Sequence, residues 1–183
     1  MSNERILIVE DEAIVATDLE ILIKTLGYQV VGVAATGEAA IRLTHEVSPD
    51  LVLMDIRLKG DMDGIDAAEH ITATLNIPIV YLTAYADEKT LERAKTTMPY
   101  GYILKPFEEK SIRTTLELAF YKFNMESMMM TLEAWHGTAL RSLADPVVAL
   151  NTRGRVTFLN ASAQTHFGWA LADVYGKTLE EVY

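Results

Sequence analysis

The feature that most constrains the fold is an alternation of short apolar runs with segments of helical spacing, repeated five times before residue 124. The apolar runs are rich in β-branched residues, as is typical of buried strands. The segments between them place apolar residues three and four positions apart, which predicts amphipathic helices. The predicted strands are 5–9, 29–34, 51–54, 79–82 and 100–104, and the predicted helices are 12–26, 37–47, 64–75, 87–97 and one that starts near Phe107.

Strands that alternate with helices over connections this short predict a parallel sheet with right-handed crossovers and helices on both faces. We therefore expect a doubly wound α/β fold, flavodoxin-like, with strand order 2-1-3-4-5. Open sheets of this kind bind ligands at the carboxyl ends of their strands, where the winding reverses. The residues that follow each predicted strand are thus the first candidates for a functional site.

Three acidic residues lie at such strand ends. Glu10 and Asp11 follow the first strand and Asp55 follows the third. In the expected strand order these two strands are neighbours, so the three carboxylates converge. Like charges this close repel each other unless a cation joins them. A hard divalent cation with oxygen ligands satisfies such a pocket, and Mg²⁺ suits a site with few carboxylates and several waters.

Two further polar residues lie at the same edge of the sheet. Thr83 ends the fourth strand with a hydroxyl, and Lys105 follows the fifth strand with an ammonium group. Carboxylates, a divalent cation, a hydroxyl and a lysine together can hold a phosphoryl group and offset its charge during transfer. The sequence therefore predicts phosphoryl chemistry at this edge.

Four motifs carry a family resemblance. They are Ile-Val-Glu-Asp-Glu (8–12), Leu-Met-Asp-Ile-Arg-Leu (53–58), Tyr-Leu-Thr-Ala-Tyr (81–85) and Tyr-Ile-Leu-Lys-Pro-Phe (102–107). In their order and spacing the chain resembles the receiver domain of two-component response regulators, from residue 4 to about residue 123. One such motif is weak evidence of kinship, whereas four in sequence at strand ends are specific.

The resemblance implies that Asp55 takes a phosphoryl group from the phosphohistidine of a histidine kinase and becomes an aspartyl phosphate. It implies that Asp11, Asp55 and the main-chain carbonyl of Arg57 coordinate Mg²⁺ directly, while Glu10 reaches the ion through water. It also implies that Lys105 pairs with the phosphoryl oxygens and is followed by a cis peptide bond. Such a domain catalyses its own phosphorylation and dephosphorylation without being an enzyme in the ordinary sense.

The same resemblance implies a conformational switch. Thr83 is expected to move onto the phosphoryl group, and Tyr102 to follow inward. The expected result is an altered surface around the fourth helix, the fifth strand and the fifth helix, which would pass the signal on.

The helix that starts near Phe107 continues past the expected end of the domain, to about residue 143, because Gly137 is its single glycine after Ile112 and it contains no proline. Its apolar residues are spaced three to five positions apart, with a break after Phe123. They are Ile112, Leu116, Phe120, Phe123, Met128, Leu132, Trp135, Ala139 and Leu143. We expect this stripe to join two copies of the chain as a homodimer. The alternative is an ordinary helix that lies back on its own domain.

The last 40 residues predict the beginning of a second domain. Runs 147–151 and 156–160 flank a turn that contains Gly154, which is typical of a β-hairpin, and a short helical pattern follows. This part resembles the amino-terminal half of a PAS sensor domain. The expected organisation is a receiver domain at 1–123, a helical linker at 124–143 and a PAS-like part at 144–183.

Composition excludes several function classes. The formal net charge is −10, which argues against a general nucleic-acid-binding surface. The chain has no cysteine, so disulfides, thiolate zinc sites and cysteine nucleophiles are excluded. We expect neither a signal peptide nor a membrane span, and therefore a cytoplasmic protein.

Single residues distinguish this interpretation from competing functions. A dinucleotide-binding domain needs a glycine-rich turn after the first strand, where this chain has Glu10 and Asp11. A phosphatase of the haloacid dehalogenase type would carry a second aspartate where Arg57 stands. Two alternatives share the same Asp55 chemistry and stay open. One is the input part of a hybrid sensor kinase, and the other is a phosphate sink that drains a kinase without driving an output.

Overall fold

The computed structural model of the chain describes residues 4–84 and 88–182, without the side chains of residue 88 and of residues 131–142. It divides the chain into two compact units, Met1–Met125 and Glu126–Tyr183. Among the described residues, none of the helices combines the length and the apolar character that crossing a lipid bilayer requires.

The first unit is a five-stranded parallel sheet of order β2-β1-β3-β4-β5. This order confirms the predicted doubly wound α/β fold. Residue 87, the predicted first residue of the fourth helix, lies outside the described residues. The elements run β1 Arg5–Val9, α1 Ala13–Thr25, β2 Gln29–Ala34, α2 Gly37–Val47, β3 Leu51–Asp55, α3 Gly64–Thr74, β4 Ile79–Thr83, α4 Glu88–Thr96, β5 Gly101–Leu104 and α5 Glu109–Ser142.

The two faces of the sheet carry separate apolar cores because successive strand side chains point to opposite faces. Leu7 and Val9 pack with residues of α2 and α3 on one face, while Ile6 and Ile8 pack with residues of α1 and α5 on the other. Every residue of β3 is buried, as expected for the central strand of a covered parallel sheet. Each fully buried leucine or isoleucine contributes roughly 1.5–3 kcal/mol, so the strand ends are held on a rigid base.

Helix α5 corrects one sequence-based prediction. Ile112 and Leu116 are fully buried and Phe120 packs on the same core, so the first part of the predicted intermolecular stripe faces the sheet of its own unit. Phe123 lies edge-on to Tyr100. Among the described side chains of α5, the exposed large apolar ones are Leu118, Tyr121, Met125, Met128, Met129 and Met130. The first four are spaced three, four and three residues apart and lie on a different face of the helix from Ile112 and Leu116.

The second unit contains the predicted hairpin, formed by β6 Val148–Leu150 and β7 Val156–Leu159 in antiparallel pairing. Short helices α6 Ala161–Phe167, α7 Leu171–Val174 and α8 Leu179–Val182 follow. The fully buried Asn160 organises this unit. Its amide oxygen accepts hydrogen bonds from the backbone N–H groups of Val147 and Ala163, and its amide nitrogen donates to the carbonyls of Leu143 and Asp145.

Gly64, the first residue of α3, permits a close approach to the end of β3. A Cβ atom at this position would lie 1.8 Å from the carbonyl oxygen of Asp55. At the equivalent position of α2, the three atoms nearest to a Cβ on Gly37 would all belong to the side chain of Met62, the closest being Cγ at 2.7 Å. A backbone atom in a central strand has no room to move, whereas the flexible side chain of a methionine can adjust.

We therefore expect Gly64→Ala to lower the free energy of unfolding by about 3 kcal/mol, at the upper end of overpacking effects, and Gly37→Ala to lower it by less than about 1.5 kcal/mol. Urea denaturation followed by circular dichroism measures both. Equal stability of the two variants would contradict this account of the loop after β3.

Candidate functional site

Strand register brings the predicted site residues level with one another. Val9 of β1 pairs with Met54 of β3, and Thr83 of β4 pairs with Leu104 of β5. The residues that follow or end these strands therefore come out at one edge of the sheet. They are Glu10, Asp55, Thr83 and Lys105.

The carboxylates converge as the sequence predicts. One oxygen from each of Glu10, Asp11 and Asp55 lies within 4.8 Å of the others. Glu10 and Asp55 are buried, and Asp11 is half-buried. One Asp55 oxygen, Oδ1, accepts a hydrogen bond from the backbone N–H of Arg57 at 3.1 Å. A compact group of oxygen donors fits a small hard cation such as Mg²⁺.

Lys105 bridges two of these carboxylates. Its Nζ lies 2.6 Å from Oε2 of Glu10 and 2.7 Å from Oδ2 of Asp55. Burial raises the pKa of Glu10, although the hydrogen bond from Lys105 opposes this. Burial also acts to lower the pKa of Lys105, but the hydrogen bonds to Asp55 and Glu10 outweigh it and the pKa is raised. The lysine therefore remains charged among the acids. The Lys105-Pro106 peptide bond is cis, as predicted.

A small cavity opens beside Asp55. Its volume is about 160 Å³. Thr83 is buried in its wall, and Arg57 lines it while its side chain remains exposed. The remaining lining residues are Glu12, Asp55, Ile56, Ala84 and Lys105. Asp55, Lys105 and Thr83 thus line a single cavity at the sheet edge with a carboxylate, an ammonium group and a hydroxyl, which is the set of groups that phosphoryl transfer needs.

Tyr102 lies apart from this cluster. Its hydroxyl is buried without a hydrogen-bond partner among the described residues, and burial raises its pKa. Its ring centroid is 5.9 Å from that of Tyr81, whose hydroxyl is hydrogen-bonded to the hydroxyl of Thr97 at 2.9 Å. The ring is thus half-buried beside β4, on the side of α4.

Sequence reasoning missed two charged residues near the site. Lys59 lies in the loop after β3, and its Nζ is 2.7 Å from Oδ2 of Asp11. Arg93 of α4 binds both carboxylate oxygens of Asp63, the N-cap of α3, and also contacts Asp66. No strand-end motif marks either residue, because each reaches its partner through loop or helix geometry. An aspartate, Asp63, placed just before the helical pattern that begins with Gly64 and Ile65 was the available signal for the cap of α3.

Two family models match the chain. The response regulator receiver domain matches residues 6–117, and the PAS fold matches residues 138–183. The transcriptional regulatory protein PdtaR of Mycobacterium tuberculosis is 40% identical over 119 residues. That match covers 65% of this chain and 58% of PdtaR, so the chain spans little more than half the length of this relative.

Solved structures of receiver domains are also similar to this chain. The signal receiver domain of a modulated diguanylate cyclase from Desulfovibrio desulfuricans G20 is 38% identical with a TM-score of 0.65, covering 68% of this chain and 99% of that one. The receiver domain of a sensor histidine kinase from Pseudomonas aeruginosa PAO1 is 31% identical with a TM-score of 0.59, over 65% of this chain and 98% of that one. That structure has a magnesium ion coordinated in its active site cleft. Because the family model matches residues 6–117 and a solved receiver domain shares the fold, the chain belongs to the response regulator receiver domain family.

Proposed function

We propose that Asp55 is the phosphoacceptor of this receiver domain and that its donor is the phosphohistidine of a histidine kinase. The observation that carries the proposal is the environment of the Asp55 carboxylate. One oxygen is held by Lys105 at 2.7 Å and the other by the N–H of Arg57 at 3.1 Å. The carboxylate lines the open cavity, where an incoming phosphoryl group has access to it.

The reaction needs no proton from Asp55. A carboxylate oxygen forms a bond to phosphorus while the bond between phosphorus and the imidazole nitrogen of the donor breaks. The electron pair of the broken bond stays on the imidazole. Lys105 then lies within reach of the phosphoryl oxygens and offsets their charge. In hydrolysis, a water molecule would attack the phosphorus while the bond between phosphorus and the Asp55 oxygen breaks, and the same lysine would again offset the charge.

Glu10, Asp11 and Asp55 are the residues that would hold Mg²⁺, together with the main-chain carbonyl of Arg57. The fit rests on the three carboxylate oxygens within 4.8 Å of one another. When bound, the ion would neutralise negative charge between Asp55 and the phosphoryl oxygens. In this assignment Asp11 and Asp55 contact the ion directly, and Glu10, which is hydrogen-bonded to Lys105, acts through water.

Thr83 and Tyr102 are the proposed switch. Thr83 ends β4 at the cavity wall, so a modest displacement would carry its hydroxyl to a phosphoryl oxygen on Asp55. Tyr102 lies on the neighbouring β5, and its buried hydroxyl has no hydrogen-bond partner in the part of the chain that the structure describes. A change in Thr83 would therefore alter the packing of Tyr102 and the surface beside α4.

Asp55 phosphorylation can be tested directly by intact mass after incubation with acetyl phosphate, with and without Mg²⁺. We expect wild type to gain one acid-stable, base-labile phosphoryl group only when Mg²⁺ is present. We expect Asp55→Asn to gain none, because an amide is a poor nucleophile. Asp61→Asn is the matched control, since it removes an exposed acid from the same loop and should leave the gain unchanged.

A phosphoryl gain that persists in Asp55→Asn would place the acceptor elsewhere and contradict the proposal. No gain in any sample would indicate an occluded pocket and reduce the unit to an interaction module. The phosphoryl gain is expected in all three cases: a receiver that drives an output, one that feeds a hybrid kinase, and one that acts as a phosphate sink. They differ in whether the segment after residue 123 responds.

The proposed organisation is a receiver domain at 1–123, a helical linker at 124–143 and a PAS-like part at 144–183, with α5 as the connection. We further propose that two copies of the chain associate along α5. Exposed Leu118, Tyr121, Met125 and Met128 are spaced three, four and three residues apart. The sequence continues this spacing through Leu132, Trp135 and Ala139, whose side chains lie outside the described residues. An apolar period of 3.5 residues is typical of a left-handed coiled coil.

Met128→Glu should shift a dimer towards monomer because it places a charge in the apolar seam. Met98→Glu is the matched control: Met98 is 80% exposed and Met128 is 61% exposed, but Met98 lies outside α5. Light scattering coupled to size-exclusion chromatography measures the mass of each. Identical masses for wild type and both variants would contradict the seam.

A further inference from the structure

Two lysines contact the carboxylate cluster, and they differ in how firmly they are held. Lys105 contacts both Glu10 and Asp55, and its side chain is 16% exposed. Among the described residues, the ion pair of Lys59 is with Asp11, at 2.7 Å, and the Lys59 side chain is 79% exposed. An ammonium group with a single partner and most of its surface in water can leave that partner at little cost. Lys105 is therefore firmly held in the cluster, whereas Lys59 can be displaced from it.

The backbone around Lys59 is anchored although its side chain is largely exposed. Leu58 and Met62, on either side of it, pack against the apolar core beneath α2 and α3. The N–H of Gly64 donates to the carbonyl of Ile56 at 3.1 Å, which closes the loop between β3 and α3. The ammonium group therefore stays within reach of Asp11 even when it is not bound to it. This distinguishes Lys59 from a surface lysine that meets an acid by chance.

Lys59 and a divalent cation need the same carboxylate. Asp11 is one of the three acids whose oxygens lie within 4.8 Å of one another. Lys105 pairs with Glu10 and Asp55, whereas Lys59 pairs with Asp11. The three acids repel each other, and the Lys59 ammonium relieves part of that repulsion at Asp11. A divalent cation bound to Asp11 would repel the Lys59 ammonium group. The cation and the ammonium group therefore compete for Asp11.

We propose that Lys59 is a displaceable counter-ion that competes with Mg²⁺ for Asp11 and so sets the Mg²⁺ concentration at which the site fills. This inference rests on the proposed function of the cluster as a magnesium site. In this inference Lys59 changes the affinity for Mg²⁺ through its contact with Asp11. It touches neither the metal nor the phosphoryl group.

The test is the dissociation constant of Mg²⁺, measured by isothermal titration calorimetry on the full chain at low ionic strength. Removing an exposed ion pair from Asp11 should tighten Mg²⁺ binding by about 1.5-fold to fivefold in Lys59→Gln. Lys59→Arg keeps the charge and should bind Mg²⁺ as wild type does. Lys24→Gln is the matched control, because Lys24 is also exposed and ion-paired, to Glu20 at 2.6 Å, and lies on α1. Its dissociation constant should not change.

Salt gives a second readout. Surface ion pairs are screened as ionic strength rises, so the difference between Lys59→Gln and wild type should shrink in high salt. An unchanged or weaker affinity in Lys59→Gln, while wild type binds Mg²⁺ and Asp11→Asn does not, would overturn the inference and leave the magnesium site standing. Equal Mg²⁺ binding by wild type and Asp11→Asn would overturn the magnesium site at Asp11, and the inference with it.

Discussion

The mutual repulsion of three carboxylates at one edge of the sheet is the constraint on which the site depends. Glu10, Asp11 and Asp55 are brought within 4.8 Å by the pairing of β1 with β3. Left alone, such a cluster would destabilise the fold or bind protons. Lys105 follows β5, which is separated from β1 by β3 and β4, and it offsets part of the charge by contacting Glu10 and Asp55 at the same time. The remaining negative charge is what makes the pocket attractive to a divalent cation.

A parallel sheet covered on both faces is well suited to maintain this arrangement. Strand β3 is buried along its whole length and β1 is buried from Ile6 to Val9, so the ends of both strands, at which the acids lie, have little freedom. Tight contacts after β3, above all that of Gly64 with the Asp55 carbonyl, fix the loop that lines the cavity. The parts proposed to move are attached differently. Helix α4 buries Ala94 in the apolar core. It is also held by an ion pair from Arg93 to Asp63, and Thr97, just after the helix, is hydrogen-bonded to Tyr81. Polar links of this kind can be exchanged without opening the apolar core.

Most of the fold and the central residues of the site could be predicted from the sequence. Short β-branched strands, helical spacing and glycine or proline stops give the strand order, and the polar residues after Val9, Met54, Leu82 and Leu104 give the cluster. Three features could not be predicted, because each depends on a contact between distant residues. Lys59 reaches Asp11 through a loop conformation, Asn160 ties four backbone groups together, and α5 turns its Ile112 stripe inward while it exposes Leu118 and Met128.

The most direct test of the account is a crystal structure of the chain with Mg²⁺ and beryllium trifluoride, a mimic of the phosphoryl group. The account predicts the mimic on a carboxylate oxygen of Asp55, with Lys105 and Thr83 against its fluorides. It also predicts the metal between Asp11 and Asp55, and Lys59 withdrawn from Asp11. A mimic bound to any other carboxylate, or a metal that leaves Lys59 in contact with Asp11, would contradict it.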